Sequence, residues 1–205
     1  MPTTPPPKAA AKSPAAKAEI VPVRFATAKA WETWLRKNGA TSDGVWLLIA
    51  KAGADAPTVT YPQAIDSALC HGWIDGQKKA LDDQHWLQRF TPRRARSIWS
   101  KINCAKALAL IESGRMQAAG QAQVDAAKAD GRWDNAYDGA RTSTMPDDLQ
   151  AALDAAPAAK QFFATLNATN RYAVLWRVQT AKKPGTRATR ITQLVAMLAR
   201  GEKIH

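Results

Sequence analysis

Two short strings and one helix junction gather the side chains able to do chemistry. Arg89-Phe90-Thr91-Pro92-Arg93-Arg94-Ala95-Arg96 carries four guanidinium groups, with Lys78, Lys79, Trp86 and Trp99 nearby. A guanidinium is a rigid fork of donors that matches phosphate or carboxylate, and an indole beside it can stack a flat ring. Pro92 stiffens the segment, so less entropy is lost on binding. The helix expected just beyond Ser97–Ser100 adds unpaired N–H groups that favour an anion. The spacing therefore predicts an anion-binding site made of Arg89, Arg93, Arg94, Arg96, Lys78 and Lys79, suited to a phosphate, a nucleic acid or an acidic protein. Two plainer readings stand beside it. The arginines pair with the acidic block Asp125–Asp148 and hold the fold together, or they are solvated surface charge.

The second string, Ala68-Leu69-Cys70-His71-Gly72-Trp73-Ile74-Asp75-Gly76, offers a thiol, an imidazole and a carboxylate in the order of a nucleophile, base and orienting acid. Adjacent residues at a helix end point in different directions, which places Cys70 and His71 poorly for sharing a proton. A structural role for the string, or a ligand pocket drawn from His71, Trp73, Asp75 and Trp99 with Asp75 as its polar anchor, is the competing reading. The junction Lys182-Lys183-Pro184-Gly185-Thr186-Arg187-Ala188-Thr189-Arg190 joins two helices by a short turn. Lys182, Lys183, Arg187 and Arg190 would meet DNA there, or else form a helical hairpin whose lysines stabilise the preceding helix C-terminus. The soft-ligand inventory of Cys70, Cys104, His71, His85 and His205 lacks zinc spacing, so neither metal nor cofactor is expected. Asp147 and Asp148 read as first-turn carboxylates suited to a helix dipole. The chain has no G-x-S-x-G, Walker A or G-x-G-x-x-G string, and no catalytic residue is assigned.

The 205 residues that position these groups suit one compact domain or two small ones. The net charge of +12 is uneven. Residues 78–106 carry eight bases and two acids and residues 171–205 eight bases and one acid, whereas 107–170 carry five bases and eight acids. Such charge draws nucleic acid, anionic lipid heads or acidic proteins at long range without specifying any of them. Two cysteines exclude a disulfide scaffold, and no apolar run is long enough to cross a bilayer.

Residues 1–20 are a Pro/Ala/Lys tail expected to be disordered. They lack a signal peptide's apolar stretch, so the cytoplasm is the expected location. An α+β domain is expected over 21–140 and a helical domain over 141–205. Thr27 caps a helix through Lys37 that buries Trp31, Trp34 and Leu35 and stops at Gly39. Gly44–Ile49 reads as a buried strand. Thr60 and Gln63 stand at capping-box spacing, with Pro62 in the first turn. Trp73–Lys79 and His85–Phe90 form a hairpin. Helices follow over Trp99–Ser113, Ala118–Asp130, Pro146–Ala155 capped by Thr144, from Pro157, from Thr169 to Lys182, and from Thr186, with Pro184-Gly185 separating the last two. The fold class is α+β: a small antiparallel sheet with helices, then a helical C-terminal region.

Two stretches carry a family likeness. TYPQAIDSALCHGWIDGQK (Thr60–Lys78) and RFTPRRARSIWSKIN (Arg89–Asn103) come with GRM and AKADGRW further on. MPDDLQAALDAAPAAKQFFATL (Met145–Leu166) is followed by AKKPGTRATRITQLVAMLARG (Ala181–Gly201). Together they resemble the YdeI/OmpD-associated family, also called bacteriocin-protection proteins, over Phe25 to Gly201. His71 stands where the family pattern has an aromatic, and Gly185 where it has Glu. The resemblance implies a part in envelope integrity and in protection against bacteriocins or cationic antimicrobial peptides, and implies no reaction or cofactor. The expected function is a non-enzymatic protection protein that binds an anionic partner through the Arg89–Arg96 loop. Non-specific nucleic-acid binding, and an enzyme with its pocket near Trp73, are the alternatives.

Overall fold

The computed structural model describes residues 21–205. The Pro/Ala/Lys tail and the disorder expected of it lie outside the described residues. The first half of the described chain builds one sheet in the order β1-β2-β4-β3, from β1 (Pro22–Val23), β2 (Val45–Ala50), β3 (Trp73–Ala80) and β4 (His85–Pro92). The β3–β4 hairpin and the β2–β4 pair are antiparallel, but β1 runs parallel to β2. The sheet is thus mixed rather than wholly antiparallel. The cause is the connection: α1 (Ala28–Asn38) crosses between β1 and β2 and returns the chain in the same direction.

Local signals set the two helices that pack on this sheet. Thr27 accepts from the Ala30 N–H and starts α1, which buries Trp31 and Leu35 one turn apart. In α2 (Tyr61–Cys70), Thr60 and Gln63 cap each other reciprocally, with Pro62 in the first turn. Alternation along β2 sends Val45, Leu47 and Ile49 into the core, where Trp31, Trp73 and Phe90 are also buried. Trp46 and its cross-strand partner Arg89 lie on the opposite face.

After the sheet come α3 (Lys101–Glu112) and α4 (Ala118–Ala129). Trp99 does not open α3 as expected. Ser100 is the cap, accepting from the Asn103 N–H, while the Trp99 carbonyl receives the Tyr137 N–H at 3.0 Å and is held extended. A long-range strand-like pairing, Ser100 with Tyr137, therefore outcompetes local helix propensity.

The remainder is helical: α5 (Asp147–Asp154), α6 (Pro157–Thr165), α7 (Ala168–Gln179) and α8 (Pro184–Ala199). These helices bury their own cluster, including Leu149, Leu153, Val174, Val178 and Leu198. Three expected boundaries shift. Pro146, not Thr144, precedes α5, and Asn167 rather than Thr169 caps α7 by accepting from the Asn170 N–H. Pro184 and Gly185 form the first turn of α8 instead of a separator, because a proline at the first helical position needs no N–H partner. The two clusters meet along the segment after α4. The Tyr172 hydroxyl donates to the Asp138 carbonyl at 2.9 Å, and Tyr137 sits edge-on to Trp176.

Candidate functional site

The β3–β4 hairpin carries most of the expected basic site, and its strand geometry divides that site between two faces. Lys79 and Arg89 flank Trp46 on the outer face, with the Lys79 Nζ 4.9 Å and the Arg89 guanidinium 5.8 Å from the ring. Lys78, past an irregularity in the β3–β4 pairing, lies 4.2 Å over Trp86. Arg89 reaches its place because Gly44, at φ +132°, has no side chain. A Cβ there would come within 2.8 Å of the Arg89 Nη2 and of the Phe90 carbonyl. Arg94 and Arg96 are exposed in the loop that follows.

Arg93 behaves differently. It is 6% exposed, with its guanidinium 3.5 Å from the centre of the Trp99 ring. One nitrogen, Nη1, donates to the Ile98 carbonyl at 3.3 Å, while Nε, Nη2 and the Trp99 indole N–H are sealed from solvent without partners. Burial pulls the Arg93 pKa down to about 10. Arg93 thus sits inside the fold while its neighbours face out, a distinction that composition does not reveal. No carboxylate lies within 4.0 Å of Lys78, Lys79, Arg89, Arg93, Arg94 or Arg96 among the described residues. Lys101, Lys106, Arg115, Arg132 and Arg187 all have such a partner.

The four residues of the expected pocket are dispersed. Trp73 is 1% exposed and fixed in the core by its indole N–H to the Gly39 carbonyl. Trp99 is the seat of Arg93, and His71 ends α2, where burial lowers its pKa. Burial pushes the Cys70 thiol up to about 11, which keeps it protonated at neutral pH and far from a nucleophilic thiolate. Asp75 opens onto a cavity that the other three do not line. That cavity, about 460 Å³, is bounded by α2, β3, α3, the segment after α4 and α7. Asp75 accepts the Tyr61 hydroxyl at 2.7 Å, and the Tyr61 pKa rises through burial and the charge of Asp75. Ser100, Asn103, Lys106, Tyr137 and Tyr172 complete the polar lining. Burial, then the charge of Asp75, also raises the pKa of Tyr137.

Sequence reasoning missed Asn103, Lys106, Tyr61 and Tyr137 as lining residues. One signal was present: Asn103 shares a helix face with buried Ala107 and Leu110, so an amide interrupts an apolar stripe.

The α7–α8 junction has its arginines engaged. Arg187 holds Asp148 through Nε at 2.6 Å and Nη2 at 2.8 Å, and its Nη1 donates to the Val178 carbonyl. Arg190 donates to the Arg177 carbonyl at 2.7 Å. Both arginines therefore occupy the C-terminal carbonyls of α7. Lys182 and Lys183 are exposed, and partial desolvation lowers the pKa of Lys182.

A mixed α+β half followed by a four-helix half defines the class of this molecule, and its two parts match different families. Residues 142–201 match the family described as bacteriocin-protection, YdeI or OmpD-associated, and residues 23–123 match a domain of unknown function (DUF8412). The helical C-terminal part therefore carries the match to the YdeI/OmpD-associated family. The strings Thr60–Lys78 and Arg89–Asn103 fall within the span of the domain of unknown function. No curated protein and no solved structure matches the chain.

Proposed function

We propose that this protein is a non-enzymatic protection protein of the cytoplasm that binds an anionic, phosphate-bearing partner through the β3–β4 hairpin and the loop after it. One observation carries the reading. The exposed cations Lys78, Lys79, Arg94 and Arg96, with half-buried Arg89, have no carboxylate within 4.0 Å among the described residues. A cation seated on an indole is attracted to the ring but keeps its N–H donors, so it can still receive an anion. Lys78, Lys79 and Arg89 are held in this way on Trp86 and Trp46. The match of residues 142–201 to a family described as bacteriocin-protection supports the protective role.

The test is a titration of the full chain with inorganic phosphate and with a fluorescein-labelled DNA duplex at low salt, repeated as salt rises. Binding of phosphate that weakens by about tenfold or more in the combined variant Lys78→Glu, Lys79→Glu, Arg94→Glu, Arg96→Glu supports the proposal. Phosphate binding that this variant leaves intact overturns it. So does duplex binding abolished by Lys182→Glu with Lys183→Glu and untouched by the hairpin variant.

A further inference from the structure

The cavity beside Asp75 has the features of a ligand site that neither the family match nor the basic hairpin accounts for. Its volume, about 460 Å³, falls within the range of small-molecule pockets. Asn103 is 9% exposed and lines the cavity, yet its side-chain amide makes no hydrogen bond among the described residues. Its backbone N–H is held by the Ser100 Oγ at 3.1 Å, so the amide belongs to a fixed helix start rather than to a mobile loop. Water reaches the amide, so its donors and its acceptor are open to a ligand in the cavity.

Asp75 adds a second, independent demand. One carboxylate oxygen accepts the Tyr61 hydroxyl, and no cation lies within 4.0 Å of the group among the described residues. The lysine on the same wall, Lys106, is neutralised by Asp66 at 2.7 Å. Arg93 is stacked on Trp99 and does not line the cavity. The rings of Tyr61, Tyr137 and Tyr172 supply faces that attract a positive charge and cover an apolar body.

We infer that this cavity binds a small organic cation, with a primary ammonium head donating to the unpaired oxygen of Asp75 and to the carbonyl of the Asn103 amide, and a short apolar body lying against the tyrosine rings. The head satisfies two acceptors that the protein leaves open, and the body replaces water over the rings. The site draws on α2, β3, α3 and α7, so it joins the two halves of the molecule.

Benzylamine, charged at neutral pH, is the probe, with benzyl alcohol and benzoate as controls of the same size. Two-dimensional amide NMR on the full chain should show saturable shifts at Asp75, Asn103 and Tyr137 with benzylamine in the millimolar range, and none with benzoate. Asp75→Asn should weaken benzylamine by about tenfold or more, the usual worth of a charge-assisted hydrogen bond. Should that variant fold poorly, Asn103→Ala is the second handle and should weaken binding about threefold to tenfold. Benzyl alcohol binding as tightly as benzylamine, or no saturable shift at these residues, overturns the inference.

Discussion

Arg93 and Arg187 both leave bulk water, and they do so by opposite routes. Arg187 is gripped by two oxygens of Asp148 in the first turn of α5 and by a carbonyl at the end of α7, so its charge is answered by a carboxylate and a helix terminus. Arg93 has the face of Trp99 and one carbonyl, with two of its nitrogens left without partners. The sheet half uses both devices. Indoles seat Lys78 on Trp86, Lys79 on Trp46 and Lys128 on Trp133. Carboxylates match Lys101, Lys106, Arg115 and Arg132 there, as they match Arg187, Lys160 and Arg200 in the helical half. A carboxylate neutralises a cation and engages its donors, whereas an indole positions the cation and leaves the donors available. Lys78 and Lys79 are of the second kind, which is why the proposed binding site falls on the hairpin.

The contrast breaks first at Trp99. Replacing this 2%-exposed ring by alanine removes a large core side chain and the seat of Arg93 together, with an expected loss of about 3–5 kcal/mol in chemical denaturation. A loss near 1 kcal/mol would mean that Arg93 is supported elsewhere. Arg93→Met then sharpens the point. Exchanging a buried ion that has partnerless N–H groups for an apolar side chain of similar length should leave stability unchanged or raise it, by up to about 1–4 kcal/mol. Loss of stability in this variant would refute the description of Arg93 as unsatisfied.

Arg187→Met should go the other way. It strands Asp148 and uncovers the end of α7, for a loss of about 1–2 kcal/mol in thermal unfolding. The size is modest because Asp148 is 46% exposed and water replaces part of what is lost. Equal responses of the two methionine variants would erase the distinction between the two arginines.

How far these features were legible in sequence follows the range of the interactions involved. Thr60, Pro62 and Gln63 write a helix start within four residues, and Thr27 with Gly39 brackets α1, so both helices could be placed from the chain alone. The continuous apolar run Val45–Ile49 likewise placed a strand, though with apolar side chains on both faces it did not say which face meets the core. Trp99 was misplaced because its conformation is fixed by Tyr137, thirty-eight positions away, and no local pattern encodes that bond. The inward turn of Arg93 escaped for the same reason: it lies just past the end of β4, where alternation no longer tells in from out. Asp75 could be named as a candidate polar anchor, but its neighbours come from α2, α3, the segment after α4 and α7, which only the fold assembles. Arg187 and Arg190 looked like donors for DNA because the carbonyls at the end of α7 that engage both, and the Asp148 that also holds Arg187, become neighbours only when the helices pack.

The smallest effect is the acid response of the Arg187–Asp148 pair, and its sign is fixed. The hydrogen bonds from Arg187 hold the Asp148 carboxyl below its ordinary value. The unfolded chain therefore takes up a proton there first as the pH drops below about 4. The contribution of the pair is complete above that point and is lost as pH falls through the lower folded value. Asp148→Asn lacks this component, so the stability difference between wild type and variant should shrink below about pH 4, by less than about 1 kcal/mol given the exposure of the pair. Asp130, Asp154 and Glu202 are lowered by their own partners and continue to titrate in both proteins, so the difference curve, not the wild-type curve, is the one to follow. A difference that stays constant from pH 7 to pH 3 would show that Arg187 is held by the Val178 carbonyl alone and that Asp148 contributes nothing to its seat.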